Sequence, residues 1–216
     1  MKIALFDYGA GNLHSLAKAL EAGGASVTVT SDWSDALALD ALVLPGVGAF
    51  GAAVKTLGPE TARVRESLEA GLPCLGICLG MQLLFDSSDE GDGEGIGFLT
   101  GSVRRLRTEI VPQMGWNDVH ISLTTPYDKP GVVVTTPVGG PDLLFAGLDG
   151  LVAYYANSYV CRPLDESTVI ATSVYQGEAF PAAVRKKNTW GVQFHPEKSS
   201  APGLRLIANF LKEVQG

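Results

Sequence analysis

The chain has 216 residues, 46% hydrophobic and 18% charged, the balance of a globular protein with a sizeable core and not of a disordered one. Its formal net charge of −7 and sequence pI near 4.9 disfavour nucleic acid or an anionic membrane surface as a partner, and no run approaches the ~20 consecutive apolar residues that span a bilayer. The opening MKIALFDYGAGN lacks the apolar stretch of a signal peptide, and Cys74, Cys78 and Cys161 are too few and too oddly numbered for a disulfide framework, so a reducing, cytoplasmic setting is expected.

Lys2–Phe6 (KIALF) has the unbroken apolar character of a buried parallel strand, followed by the Gly-rich turn 7–12. Leu13, Leu16, Ala17 and Leu20 then share one helical face, and Gly23 and Gly24 stop that helix. The β-branched Ser26–Thr30 reads as a strand, as do Ala41–Leu44 and 73–77, with a helix over 60–70 between the last two. Strands alternating with helices at short spacing predict an α/β fold with a mostly parallel central sheet covered by helices on both faces.

Beyond about Gly101 the pattern changes. Segments 102–107, 132–136, 154–160, 168–175, 182–185 and 190–194 read as strands with few helices between them, which predicts an antiparallel portion added to the sheet. Leu204, Ile207, Ala208 and Leu211 share one face of a closing helix over 204–214. The acidic, Gly-rich stretch 86–97 reads as an exposed loop. No linker or repeat is visible, so one domain over 1–216 is expected.

The most informative stretch is Gly76-Ile77-Cys78-Leu79-Gly80, a G-x-C-x-G at the end of an apolar strand. This is the cysteine form of the nucleophile elbow, in which small residues two before and two after the nucleophile let the flanking backbones pass closely. The following helix N-terminus favours the thiolate, and the backbone N–H of Leu79 points where an oxyanion forms. A buried core cysteine is the competing reading, and it suits Cys74 and Cys161.

A thiol nucleophile needs a base, and the base an orienting group. Of the three histidines, His14 lies in a helix pattern and His120 among polar residues. His195 ends an apolar strand, in Phe194-His195-Pro196-Glu197, and in extended chain Glu197 shares its face. The strip Gly46-Val47-Gly48-Ala49-Phe50-Gly51 formally matches a dinucleotide fingerprint, but the acidic residues at the required distance, Glu66 and Glu69, sit in a helical pattern. Its other use is a flexible backbone strip completing an oxyanion hole beside Cys78.

With these motifs the chain resembles the class I (triad) glutamine amidotransferases along its whole length. The strings Asp7-Tyr8-Gly9-Ala10-Gly11-Asn12-Leu13, Pro45-Gly46-Val47-Gly48-Ala49-Phe50, Gly80-Met81-Gln82, Pro112-Gln113-Met114-Gly115-Trp116-Asn117 and His195-Pro196-Glu197-Lys198-Ser199 are similar to those of the family's glutaminase subunits of imidazole glycerol phosphate synthase. The resemblance implies a flavodoxin-like fold and glutamine hydrolysis through a thioester on Cys78, with His195 as base and acid and Glu197 as its orienter. It implies oxyanion donors at Leu79 and Val47, glutamine held by Gly48, Gln82, Glu90 and the strip Asn157, Ser158 and Tyr159, and no metal or cofactor. It also implies a (β/α)8-barrel cyclase partner in a heterodimer, receiving ammonia and meeting Asn12, Trp116, Tyr154 and Lys198. Many family members have His where this chain has Asn157, which cannot titrate. Residues 124–141 match nothing diagnostic. The alternatives are a non-catalytic binding subunit of the same fold, or the glutaminase subunit of another biosynthetic amidotransferase.

Overall fold

Strands that are apolar on both faces must be covered on both faces, and this arrangement follows in the computed structural model, which describes residues 1–9, 13–46, 48–121, 142–148 and 150–215. In chain order the elements are β1 (Lys2–Phe6), α1 (Leu13–Ala22), β2 (Ser26–Thr30), α2 (Trp33–Leu37), β3 (Ala41–Leu44), α3 (Phe50–Leu57), α4 (Thr61–Glu69), β4 (Cys74–Ile77) and α5 (Leu79–Leu83). There follow β5 (Ser87–Ser88), β6 (Gly91–Glu94), β7 (Gly101–Arg105), β8 (Gln113–Ile121), β9 (Leu151–Asn157), β10 (Tyr159–Pro163), β11 (Val169–Tyr175), β12 (Glu178–Lys186), β13 (Thr189–Val192) and α6 (Ser200–Gln215).

The large sheet has the order β2-β1-β3-β4-β13-β12-β11-β8-β9. β2, β1, β3, β4 and β13 run parallel, and β12, β11, β8 and β9 continue the sheet antiparallel. Alternation along the parallel strands divides the core. Ile3, Leu5, Ala41, Val43, Leu75 and Ile77 face α1 and α6, where Leu16, Leu20, Ile207 and Phe210 pack against them. Ala4, Phe6, Leu42, Leu44 and Cys74 face α2 to α5, where Trp33, Phe50, Leu57, Val64 and Leu68 close the other side. The Trp33 ring stacks on Phe6 with centroids 3.6 Å apart. A second, four-stranded sheet, β10-β7-β5-β6, lies on this second side.

Two sequence expectations change. Stretch 86–97 is not a plain loop: it holds β5 and β6, which pair with each other, while β5 also adds to β7. Its Gly and Asp content hid a hairpin whose backbone bonds do not depend on side chains. Segment 154–160 is two strands, not one: β9 ends at Asn157 in the large sheet and β10 begins at Tyr159 in the small one. Gly115-Trp116-Asn117 is the middle of β8, directly opposite Tyr155, Tyr154 and Ala153 of β9. Helices α2 and α3 lack a long apolar period and escape a pattern reading; α2 is set by its cap, where the Asp32 carboxylate accepts from Ser34 and Asp35 N–H. The expected strand 132–136 and all of 124–141 lie outside the described residues. Among the described residues no helix is long and apolar enough to cross a membrane.

Candidate active site

Three adjacent parallel strands, β3, β4 and β13, end side by side, and the chain leaves each at the same edge of the sheet. In open α/β sheets, ligands bind at this carboxyl edge. Gly46 follows β3, Cys78 follows β4 and His195 follows β13.

The turn at Cys78 is as sharp as its motif demands. Cys78 has φ 49° and ψ −102°, a region that L-residues rarely occupy. Its N–H donates to Val192 O at 2.7 Å, which anchors the turn to β13. The flanking glycines are steric necessities: a Cβ on Gly80 would lie 2.0 Å from Leu44 O, and one on Gly76 2.6 Å from Gly80 O. Cys74 and Cys161 are fully buried, and desolvation pushes both thiols up, as core cysteines should behave. Cys78 instead lines an open cleft of about 280 Å³.

His195 is 2% exposed, and its Nδ1 stands 3.0 Å from Glu197 Oε1. The extended-chain route expected for this pair is corrected: Pro196–Lys198 forms a 3₁₀ turn. Proline fixes φ and needs no N–H partner at the start of such a turn, so the chain bends immediately after the base. His195 is pinned at both ends of its backbone, its N–H donating to Tyr154 O at 2.8 Å and its carbonyl accepting from Lys198 N–H at 3.0 Å. Burial pushes the imidazole's pKa down, but hydrogen bonding to Cys78 and Glu197, with their negative charge, outweighs burial and holds His195 up at about 10.

Gly46 can lie against both Cys78 and His195 only because it has no side chain. A Cβ there would stand 2.8 Å from Cys78 Cβ and 3.1 Å from His195 Cε1. Gln193 also reaches the sulfur, its Nε2 donating to Cys78 Sγ at 3.4 Å.

The cleft brings together most of the residues expected there. Gly48, Cys78, Leu79, Gln82, Glu90, Asn157, Ser158, Tyr159, His195 and Lys198 all line it, with Gly46, Pro112 and Ala156. Leu79 is the first residue of α5, so its N–H has no partner within the helix. Glu90 is half-buried between β5 and β6, and its Oε2 accepts from Phe50 N–H at 2.9 Å, which couples the hairpin to the start of α3. Gln82 spends its Nε2 on Tyr159 O at 3.1 Å and Gln193 Oε1 at 3.2 Å. Asn157 turns its Nδ2 to the same Tyr159 carbonyl at 3.1 Å, so its amide braces its own strip. Val47 and Asn12 lie outside the described residues.

The family model described as "Glutamine amidotransferase class-I" matches residues 4–214. The chain belongs to the class-I glutamine amidotransferase family. Among curated relatives it is 42% identical to the imidazole glycerol phosphate synthase subunit HisH of Gloeobacter violaceus, over 98% of this chain and 89% of that one. It is 42% identical to the same subunit of Moorella thermoacetica, over 96% and 93%, and 39% identical to that of Gloeothece citriformis, over 99% and 96%. Solved structures share the fold at lower identity. A crystal structure titled as a glutamine amidotransferase aligns with a TM-score of 0.73 at 20% identity, covering 99% of this chain and 100% of its own. The glutaminase domain of Trypanosoma brucei CTPS aligns at 0.65 and 18%, covering 100% and 94%.

On this amidotransferase Trp116, Tyr154 and Lys198 sit together at the surface beside the cleft. Trp116 is 55% exposed, its ring meets Tyr154 edge-on at 6.1 Å, and Lys198 Nζ lies 5.9 Å from the Tyr154 ring centroid. Met114 and Val152, also exposed, extend the patch along the same face of β8 and β9. Two buried residues at the site escaped the sequence reading. Gln193 lies two positions before His195, a polar residue in an apolar run and on the same face, which was the available signal. Ser199, fully buried, follows the motif and gave no signal, because its role depends on β9.

Proposed function

We propose that this chain is the glutaminase subunit of an imidazole glycerol phosphate synthase. It hydrolyses glutamine to glutamate and passes the ammonia to a (β/α)8-barrel cyclase subunit in a cytoplasmic heterodimer. That partner uses it on PRFAR to give imidazole glycerol phosphate and AICAR in histidine biosynthesis. The observation that carries this reading is the strained Cys78 elbow facing a buried His195 that is bonded to Glu197 at 3.0 Å. The set stands in a chain that matches curated synthase subunits over nearly its whole length.

Each group then has a task. Glutamine enters with its α-ammonium toward two acceptors, the Glu90 carboxylate and the Gln82 carbonyl, whose amide hydrogens are already used. Backbone groups of Gly48 and of Asn157, Ser158 and Tyr159 hold the rest. His195 takes the thiol proton, and the thiolate attacks the side-chain carbonyl carbon, sending the carbonyl electrons to oxygen. Leu79 and Val47 N–H receive that oxyanion. His195 returns the proton to the departing nitrogen, ammonia leaves, and a thioester remains on Cys78. A water then gives its proton to His195 and attacks the thioester. The C–S bond breaks, glutamate departs and the thiol is restored. Glu197 orients the ring and balances the imidazolium charge. Ammonia leaves toward the partner at the face with Asn12, Trp116, Tyr154 and Lys198.

The test is a glutaminase assay with and without the cyclase, combined with labelling by diazo-oxo-norleucine. The expected result is stoichiometric label on Cys78 and cyclase-stimulated turnover. An unlabelled Cys78 with no glutamate formed in the complex would leave a binding subunit only.

A further inference from the structure

Gln193 is fully buried, and each polar atom of its amide has a hydrogen-bond partner. Its orientation follows from a chain of hydrogen bonds with a fixed direction. The Tyr159 carbonyl can only accept, so the Gln82 atom 3.1 Å from it is Nε2. That nitrogen's second hydrogen points to Gln193 at 3.2 Å, so Gln193 presents Oε1 there. The Gln193 atom 3.4 Å from Cys78 Sγ is therefore the donor, Nε2.

We propose that Gln193 is a further catalytic residue of the glutaminase reaction, donating to the Cys78 sulfur and linking it through Gln82 to the Tyr159 carbonyl at the wall of the substrate cleft. The proposal rests on the glutaminase reading for its catalytic meaning, though not for its geometry. When the thiolate attacks, its charge passes into the S–C bond and the Gln193 bond slackens. When the second adduct collapses, the C–S bond breaks, the electron pair returns to sulfur, and the Gln193 N–H receives it. Gln193 thus favours both formation of the thiolate and its departure from the acyl carbon. The same bond holds the sulfur in place from the side of the sheet. The titratable and charged groups around Cys78 are His195 with Glu197 behind it, Cys161 on β10, and Glu90, Tyr159 and Lys198 across the cleft.

Iodoacetamide alkylation of Cys78 in the full-length chain, followed against pH, reads the thiolate without glutamine or partner. Gln193→Met removes the donor at similar size. Gln193→Glu keeps the acceptor for Gln82 and replaces the donor. Both should move the alkylation midpoint up by about 1–2 pH units, the worth of one hydrogen bond to a charged acceptor. In the complex, kcat should fall by about tenfold or more with KM for glutamine little changed. A folded variant whose midpoint stays at the unmodified value overturns the proposal. If neither variant folds, the side-chain amide ¹⁵N resonance of Gln193 in the unmodified chain decides: it should titrate with the alkylation midpoint, and a flat response overturns the proposal. Failure of the glutaminase reading would show separately, as an unmodified complex that forms no glutamate although Gln193 still governs alkylation.

Discussion

The Ser199 hydroxyl donates to the carbonyl oxygen of His195 at 2.6 Å. The Ser199 Oγ in turn accepts from Tyr154 N–H at 2.9 Å, so one buried serine ties the turn carrying the proposed base to strand β9. Position and stability are joined at this point. Ser199→Ala leaves the Tyr154 N–H without its acceptor, and is expected to lower unfolding free energy by about 1–3 kcal/mol. Denaturant titration measures that loss. Glutamine turnover should fall in the folded variant, because β9 no longer holds the turn. Unchanged stability and unchanged turnover would remove Ser199 from the site's support.

The backbone at Cys78 carries its own test. At ordinary buried positions glycine is less stable than alanine by about 0.5–1 kcal/mol. At φ 49° and ψ −102° the order should reverse, with Cys78→Gly more stable than Cys78→Ala by about 1–3 kcal/mol. Both variants should lack glutamine-dependent turnover while the complex still uses added ammonium salts, since the cyclase performs that chemistry. Retained glutamine turnover in either variant would contradict the assignment of the nucleophile.

His195 gives a pH dependence with a definite sign. Its folded pKa, about 10, lies above the ordinary 6.5, so the folded protein binds the extra proton between those values. The stability this contributes is complete below 6.5 and is lost as pH rises through about 10. Thermal midpoints should therefore decline across that window. In Cys78→Ala the two contributions from the thiol disappear, burial regains weight, and the slope should flatten. With only three histidines in the chain, the His195 Cε1–H resonance can be followed directly. A midpoint unmoved by Cys78→Ala would show that thiol and ring do not communicate.

The exposed patch at Trp116, Tyr154 and Lys198 predicts a separation of effects. Lys198 is exposed and touches only the face of an aromatic ring by charge, so Lys198→Ala should change the thermal midpoint little. Its affinity for the cyclase, measured by calorimetry at two salt concentrations, should fall and lose salt dependence. Trp116→Ala should cost more affinity, as a half-exposed aromatic anchor does. Equal destabilisation of the isolated chain with unchanged affinity would move the interface elsewhere.

Local patterns made the parallel half of the fold and the candidate nucleophile and base legible in the sequence. KIALF, SVTVT and ALVL are strands because apolar and β-branched runs leave no other burial. Gly76 and Gly80 announce the elbow because only glycine tolerates backbone oxygens at such distances. What lay outside local reach depended on partners far along the chain. The break at Ser158 divides one apparent strand between two sheets, a choice made by β7 and β8 and not by residues 154–160. The pairing of Glu197 with His195 was legible, but its route through a 3₁₀ turn was set by Pro196 together with the tertiary contact of Ser199. Gln193 could be noticed as a polar residue in an apolar strand. Its direction toward Cys78 was decided only when folding placed Tyr159, Gln82 and Gln193 in line, because a side-chain amide has no preferred end until a fixed carbonyl supplies one.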